Sequence, residues 1–126
     1  MQALSQTLKA LADPTRLRLV LALQQGELCV CQLNTLFPFS PSTLSRHLAV
    51  LERAGLVQSR KAGRWVYYAL LRRGQPPALR QLLRWALEHA GRDPLAREDA
   101  LRLRQCRRSR SMIACPPRAG GKTPRT

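Results

Sequence analysis

Apolar residues recur with the period of an α-helix along the first part of the chain. Leucines at i, i+4 and i+7 within residues 2–11 predict an amphipathic helix. A second helix is predicted from Pro14, because Asp13 can cap it and proline suits the first helical position. A third, short helix should follow the stretch ELC and end before Pro38.

A fourth helix is predicted in the stretch SPSTLSRHLAVLERAG, which begins at Ser40. Ser40 is a suitable N-cap, and Gly55 can end the helix in a left-handed conformation. Its apolar stripe consists of Leu44, Leu48 and Leu51. The opposite face carries short or basic hydrogen-bond donors, namely Ser42, Thr43, Ser45, Arg46 and His47.

The period then changes from 3.6 to 2, which predicts a β-hairpin around KAG with Gly63 at a left-handed position. Two more helices should follow, the second over 93–106. This order is that of a winged helix-turn-helix, mainly α with one hairpin, although an unrelated α+β domain shares it. We assign residues 1–92 to the DNA-binding and dimerisation domain, 93–106 to a short C-terminal helix and 107–126 to a basic tail that we expect to be disordered.

The charge of the chain favours a nucleic-acid partner. It has 22 Lys and Arg against 7 acidic residues, a net charge of +15. Residues 1–106 keep +9 of this charge without the tail, so the folded part is itself basic. The sequence predicts neither a membrane span nor a secretory signal, so we expect a cytoplasmic protein with reduced thiols. The residues that catalysis needs are not brought together by any motif, so we do not expect an enzyme.

Four stretches resemble the arsenical-resistance (ArsR/SmtB) repressor family: LADPTRLRLVLAL, ELCVCQL, STLSRHLAVLERAGLV and RKAGRWVYYAL. They occur in this order and cover roughly residues 3–90. The resemblance implies a homodimeric winged-helix repressor that binds double-stranded operator DNA and dissociates when an effector binds. The chain has Cys-Val-Cys at residues 29–31. In this feature it resembles the branch of the family that responds to trivalent arsenic, As(III), or antimony, Sb(III).

The candidate DNA-binding residues lie on the fourth helix and on the hairpin. A recognition helix reads base edges in the major groove, and a basic wing contacts the backbone or the minor groove. The residues concerned are Ser40, Ser42, Thr43, Ser45, Arg46 and His47 of the helix and Arg60, Lys61 and Arg64 of the hairpin. A solvated polar face with an ordinary basic turn has the same pattern, and His47 is equally compatible with a partly buried histidine.

Cys29 and Cys31 are the candidate metalloid ligands. Residues two apart on a helix point about 200° from each other, so both sulfurs can reach one atom only where the helix begins or is distorted. As(III) is soft and takes three sulfur ligands in a pyramid, so binding should strain or unwind the first turn of the helix that precedes the recognition helix. Two buried apolar fillers are the alternative.

The sequence does not determine which group supplies the third ligand of the metalloid. The relatives have a third cysteine where this chain has Asn34, a poor ligand for arsenic. Cys106, Cys115 or an external thiol could complete the site, and a site with two protein thiolates is equally compatible.

Two other functions also remain open: a winged-helix regulator that senses thiol oxidation or another soft metal, and a non-specific basic DNA-binding protein.

We expect the homodimer to form through the first helix and the last long one. Their leucine stripes would otherwise be exposed, and such an apolar patch usually marks an interface. The residues are Leu4, Leu8, Leu11, Leu79, Leu82, Leu83 and Leu87.

Overall fold

The computed structural model describes the backbone of residues 1–109 and the side chains of residues 1–106. The helices are α1 (Gln2–Leu11), α2 (Pro14–Leu23), α3 (Val30–Leu36), α4 (Pro41–Arg53), α5 (Pro77–Ala90) and α6 (Pro94–Ser109), and the strands are β1 (Leu28–Cys29), β2 (Val57–Ala62) and β3 (Trp65–Leu70).

The helix starts follow the predicted capping residues. The Asp13 carboxylate accepts a hydrogen bond from the backbone N–H of Arg16 at 3.2 Å, which caps α2. The Ser40 hydroxyl accepts from the backbone N–H of Thr43 at 3.2 Å and caps α4 in the same way. Gly55 has a φ of +78°, which ends α4 through the left-handed conformation that was predicted.

The three strands form one antiparallel sheet in the order β1-β3-β2. Ala62 pairs with Trp65, so the hairpin loop consists of Gly63 and Arg64, and Gly63 has a φ of +65°. The predicted mainly α fold with a β-hairpin is therefore confirmed. The strand β1 was not predicted, because two residues are too few to show a period of two.

The apolar side chains form a main core and a second, smaller cluster. The main core gathers leucines of the helices, including Leu19, Leu23, Leu44, Leu48 and Leu51. The smaller group lies on the sheet and consists of buried Cys29 and Tyr67, with Cys31, Ala62 and Trp65 packed against them. We call these five residues the wing-base cluster.

Helix α6 packs against α2 and is longer than the short helix that was predicted. It extends to Ser109, beyond the expected end at 106, and Leu103 and Cys106 are buried in the main core. The rest of the predicted basic tail, residues 110–126, lies outside the described residues. Within residues 1–109 no helix is both long enough and apolar enough to cross a membrane.

Candidate nucleic-acid interface and thiol site

Helix α4 presents part of its predicted polar face to solvent. Ser42, Ser45 and Arg46 are exposed, while Leu44, Leu48 and Leu51 are buried. Ser40 is also exposed, and its hydroxyl donates to the Thr43 hydroxyl at 2.9 Å. Serine hydroxyls and a guanidinium on one open face can donate to base edges and to phosphates.

His47 lies at the junction of α1, α2 and α4 and is only partly exposed. The Arg16 guanidinium approaches His47 Nδ1 at 3.1 Å and also donates to the backbone oxygen of Ala10 at 2.7 Å. Because a guanidinium has only donors, Nδ1 is the acceptor in this contact. Of the two predictions for His47, a partly buried histidine describes its position.

The three basic residues of the hairpin have different surroundings. Lys61 and Arg64 are exposed near the tip of the wing. Arg60 instead forms a bidentate ion pair with Glu27, with N···O distances of 2.7 and 2.9 Å. This hydrogen bonding raises the pKa of the Arg60 guanidinium, which stays fully charged. Arg60 is therefore held at the base of the wing, whereas Lys61 and Arg64 extend from its tip.

Cys29 is the last residue of β1 and also the N-cap of α3. Its φ of −86° and ψ of 162° are extended, so the 200° separation of two residues within a helix does not apply to it. The backbone N–H of Cys29 donates to Gln32 Oε1 at 2.9 Å, one half of a capping box in which the Cys29 side chain faces the backbone of Gln32. Cys31 follows in the first turn of α3. The predicted position of the pair at a helix start is thus what the structure has.

The two cysteines of this pair are not free thiols in the structure. Cys29 and Cys31 are disulfide-bonded in the structure. A disulfide sulfur is not a thiolate, and only a thiolate is a strong ligand for a soft centre. The pair must therefore be reduced before it can hold a metalloid.

The candidates for a third ligand are placed differently. Asn34 donates from Nδ2 to the backbone oxygen of Phe39 at 3.1 Å and so ties α3 to the segment before α4. Cys106 lies in the main core rather than in the wing-base cluster, and burial raises the pKa of its thiol, which favours the protonated form. Cys115 lies outside the described residues. In the described part of the chain, no group of three or more His, Cys, Asp and Glu residues could hold a metal ion.

Sequence reasoning missed the residues that connect the thiols to the wing. Glu27 and Tyr67 touch Arg60, and Trp65 packs with the cysteines, yet none of these three was predicted to belong to the site. Their proximity depends on the pairing of β1 with β3. The alternation of residues 65–70 marks them as a strand but does not indicate which strand they pair with.

Comparison with known proteins places this arrangement in a family. The family described as "Bacterial regulatory protein, arsR family" matches residues 13–59. The "Arsenic resistance transcriptional regulator ArsR1" of Pseudomonas putida is 40% identical over 109 residues, which cover 85% of this chain and 83% of that protein. The "Arsenical resistance operon repressor" of Escherichia coli is 53% identical over 66 residues, 52% of this chain and 56% of that protein. The chain thus spans about half the length of the second relative.

A solved structure agrees with the fold. "HlyU from Vibrio cholerae N16961" superposes with a TM-score of 0.58 at 33% identity and covers 72% of this chain and 90% of that one. A polar-faced helix after a short helix, followed by a basic hairpin, defines a winged-helix transcriptional regulator. The chain belongs to the ArsR family of bacterial regulatory proteins, as the sequence motifs predicted. The members of this family regulate transcription and are not enzymes, which confirms that prediction as well.

Proposed function

We propose that this protein is a cytoplasmic repressor that binds operator DNA as a homodimer and leaves it when As(III) or Sb(III) binds Cys29 and Cys31. The observation that carries the proposal is the position of Cys29, which is at once the N-cap of α3 and the end of a strand paired with the wing. A change at this residue acts on both elements that flank the recognition helix α4.

DNA binding is assigned to two surfaces. Ser42, Ser45 and Arg46 of α4 would enter the major groove, with Ser40 and the helix start on a phosphate. Lys61 and Arg64 of the wing would contact the backbone or the minor groove. Thr43 and His47 are partly buried, so they would support this surface from its edge.

The metalloid would bind the reduced pair of cysteines. Cys29 is extended and Cys31 is helical, so a small change in the first turn of α3 can bring both thiolates to one atom. Asn34 is engaged with Phe39, and Cys106 is buried as a protonated thiol. An external thiol or the effector's own substituent is therefore the favoured third ligand, with Cys115 as the remaining protein candidate.

The homodimer would form through α1 and α5, over a smaller set of residues than the sequence suggested. Leu4, Leu8 and Trp85 are exposed, whereas Leu11 and Leu87 are buried in the main core of the same chain. Between α1 and α5 lies an apolar groove of about 670 Å³ that Leu4, Leu8, Leu79 and Leu82 help to line. A second copy of the chain would cover this groove and remove the exposed leucines from water.

A footprint of the DNA upstream of the protein's own gene tests this proposal. The reduced protein should protect a palindromic site, and arsenite should abolish the protection. Protection that persists in arsenite overturns the effector assignment, and equal affinity for all DNA supports a non-specific binding protein instead.

Thiol oxidation is a second candidate signal, because Cys29 and Cys31 are disulfide-bonded in the structure. In that case the oxidised and reduced proteins would differ in operator affinity without any metalloid. The same footprint, made with oxidised and with reduced protein, separates the two signals.

A further inference from the structure

Cys29, Tyr67 and Arg60 stand in one row across the sheet. Cys29 pairs with Tyr67 on one side of β3, and Arg60 pairs with Tyr67 on the other side. Side chains of directly opposed residues in antiparallel strands lie on the same face, close enough to touch. The row therefore runs from the thiol site, through a buried aromatic ring, to a basic residue of the wing.

The opposite face of the sheet belongs to the main core. The adjacent row, Leu28, Tyr68 and Ser59, lies on that face, and Leu28 and Tyr68 pack in the main core. The wing-base cluster is thus separated from the main core by the sheet itself. A change at Cys29 acts first on the residues of its own face.

The contacts along the row are close. Cys29 is fully buried and Tyr67 is 2% exposed, and the two form the centre of the wing-base cluster. The Arg60 guanidinium carbon lies 4.6 Å from the centre of the Tyr67 ring, a cation–π contact. Glu27, two residues before Cys29, forms an ion pair with the same guanidinium.

The indole of Trp65 can change its position within the wing-base cluster at little cost in hydrogen bonding. Its Nε1–H is buried and has no hydrogen-bond partner within the described structure. A shift of the indole therefore breaks no hydrogen bond of that group. Because packed cores change between discrete arrangements rather than deform smoothly, a moved Cys29 sulfur should move the ring against it.

We propose that Tyr67 and Glu27 are positioning residues that carry the chemical state of Cys29 and Cys31 to Arg60 and the wing. Drawing the two thiolates onto one metalloid turns the Cys29 side chain and displaces the Tyr67 ring. Arg60 then loses the surface on which it stacks, and the wing loses its orientation on DNA. This route acts in addition to the strain that metalloid binding places on α3. The inference rests on the proposed function.

The test measures coupling, defined as the ratio of the operator dissociation constants with and without arsenite, for reduced protein. Tyr67→Leu removes the ring, Tyr67→Phe keeps it, and Glu27→Gln releases Arg60. The matched control is Tyr68→Leu, which makes the same change one residue along β3 but on the face of the main core. Arsenite binding is followed separately by Trp65 fluorescence in a Trp85→Phe background, since Trp85 is the other tryptophan.

Wild type, Tyr67→Phe and Tyr68→Leu should keep full coupling. Tyr67→Leu and Glu27→Gln should bind arsenite within about threefold of wild type. Because they remove a contact that holds Arg60, they should bind the operator more weakly without arsenite and lose at least tenfold in coupling. Wild-type coupling in both Tyr67→Leu and Glu27→Gln overturns the proposal. If circular dichroism shows that Tyr67→Leu does not fold, Glu27→Gln alone decides. The Trp65 fluorescence measurement reports arsenite binding separately from operator binding. If wild type does not bind arsenite, the proposed function is overturned, and this inference with it.

Discussion

Arg18 of α2 and Asp99 of α6 form a bidentate ion pair, with N···O distances of 2.7 and 3.0 Å. Asp99 also accepts from Arg102, and Arg102 donates to the backbone oxygen of Leu36 at the end of α3. The hydrogen bond to Asp99 raises the pKa of the Arg18 guanidinium. Asp99 thus fixes the C-terminal helix to α2, and Arg102, which Asp99 also binds, fixes the same helix to α3.

We predict that Asp99→Ala destabilises the fold, because it leaves the partly buried Arg18 without its counter-charge. The expected loss is about 2–4 kcal/mol in the free energy of unfolding, below the full range for buried pairs since Arg18 keeps some contact with water. Urea unfolding measures it. Glu98→Gln, an exposed neighbour on the same helix, is the control and should change stability by less than about 0.5 kcal/mol. Equal effects of the two changes would show that the ion pair does not stabilise α6.

We predict a pH-dependent contribution from Cys106. Burial raises the pKa of its thiol above the ordinary value of 9.0, so the unfolded chain loses this proton first. Stability should therefore fall as pH rises above about 9 and towards the folded pKa. Urea unfolding of wild type and Cys106→Ala at pH 7.5 and 10 should show a larger loss in wild type. An identical loss in both proteins would mean that the thiol is not shielded from ionisation.

We predict that Arg46→Ala and Arg64→Ala weaken operator binding in different ways. Loss of a base contact at Arg46 should cost roughly 1–3 kcal/mol and relax sequence specificity. Loss of a phosphate contact at Arg64 should weaken binding to all sequences and reduce the salt slope by about 1. Arg92→Ala removes the same charge from an exposed residue outside both DNA surfaces and serves as the control. Operator affinity equal to that of the control in both variants would place the DNA surface elsewhere.

We predict that Leu8→Glu breaks the homodimer, because it puts a charge into the apolar groove between α1 and α5. Sedimentation should show wild type as a dimer at micromolar concentration and the variant as a monomer. Leu101→Glu is a matched control, since Leu101 on α6 is 49% exposed and Leu8 is 48% exposed. A wild-type monomer, or a dimer that tolerates Leu8→Glu, would reject this interface.

Local signals predicted most of the fold. Asp13 and Ser40 mark helix starts, and Gly55 and Gly63 mark turns that need a positive φ, so α2, α4 and the hairpin could be placed from neighbouring residues. Pairing between distant segments could not be placed in this way. The strand β1 is visible only through its partner β3, and the pair of Arg18 and Asp99 joins residues 81 positions apart.

For the candidate site, too, the sequence predicted the local positions of residues but not their contacts with distant segments. The positions of Cys29 and Cys31 at a helix start and of Arg46 on an exposed face follow from helical periodicity. Arg60 was grouped with Lys61 and Arg64 because charge alone does not show a partner. Only the fold reveals that Glu27 and Tyr67 hold it. The burial of Leu11 and Leu87 was missed because an amphipathic stripe faces the chain's own core and a partner subunit alike.

Operator release by arsenite is the measurement that tests the central claim most directly. Fluorescence anisotropy of labelled operator DNA would be followed during arsenite titration of reduced wild type and of the Cys29→Ser, Cys31→Ser double variant. Serine is nearly isosteric and caps helices well, so both proteins should bind the operator with similar affinity. Arsenite should release the DNA from wild type only, because a hydroxyl is a far harder ligand than a thiolate. Release of the double variant at the same arsenite concentration would contradict the account and leave the cysteine pair as core packing.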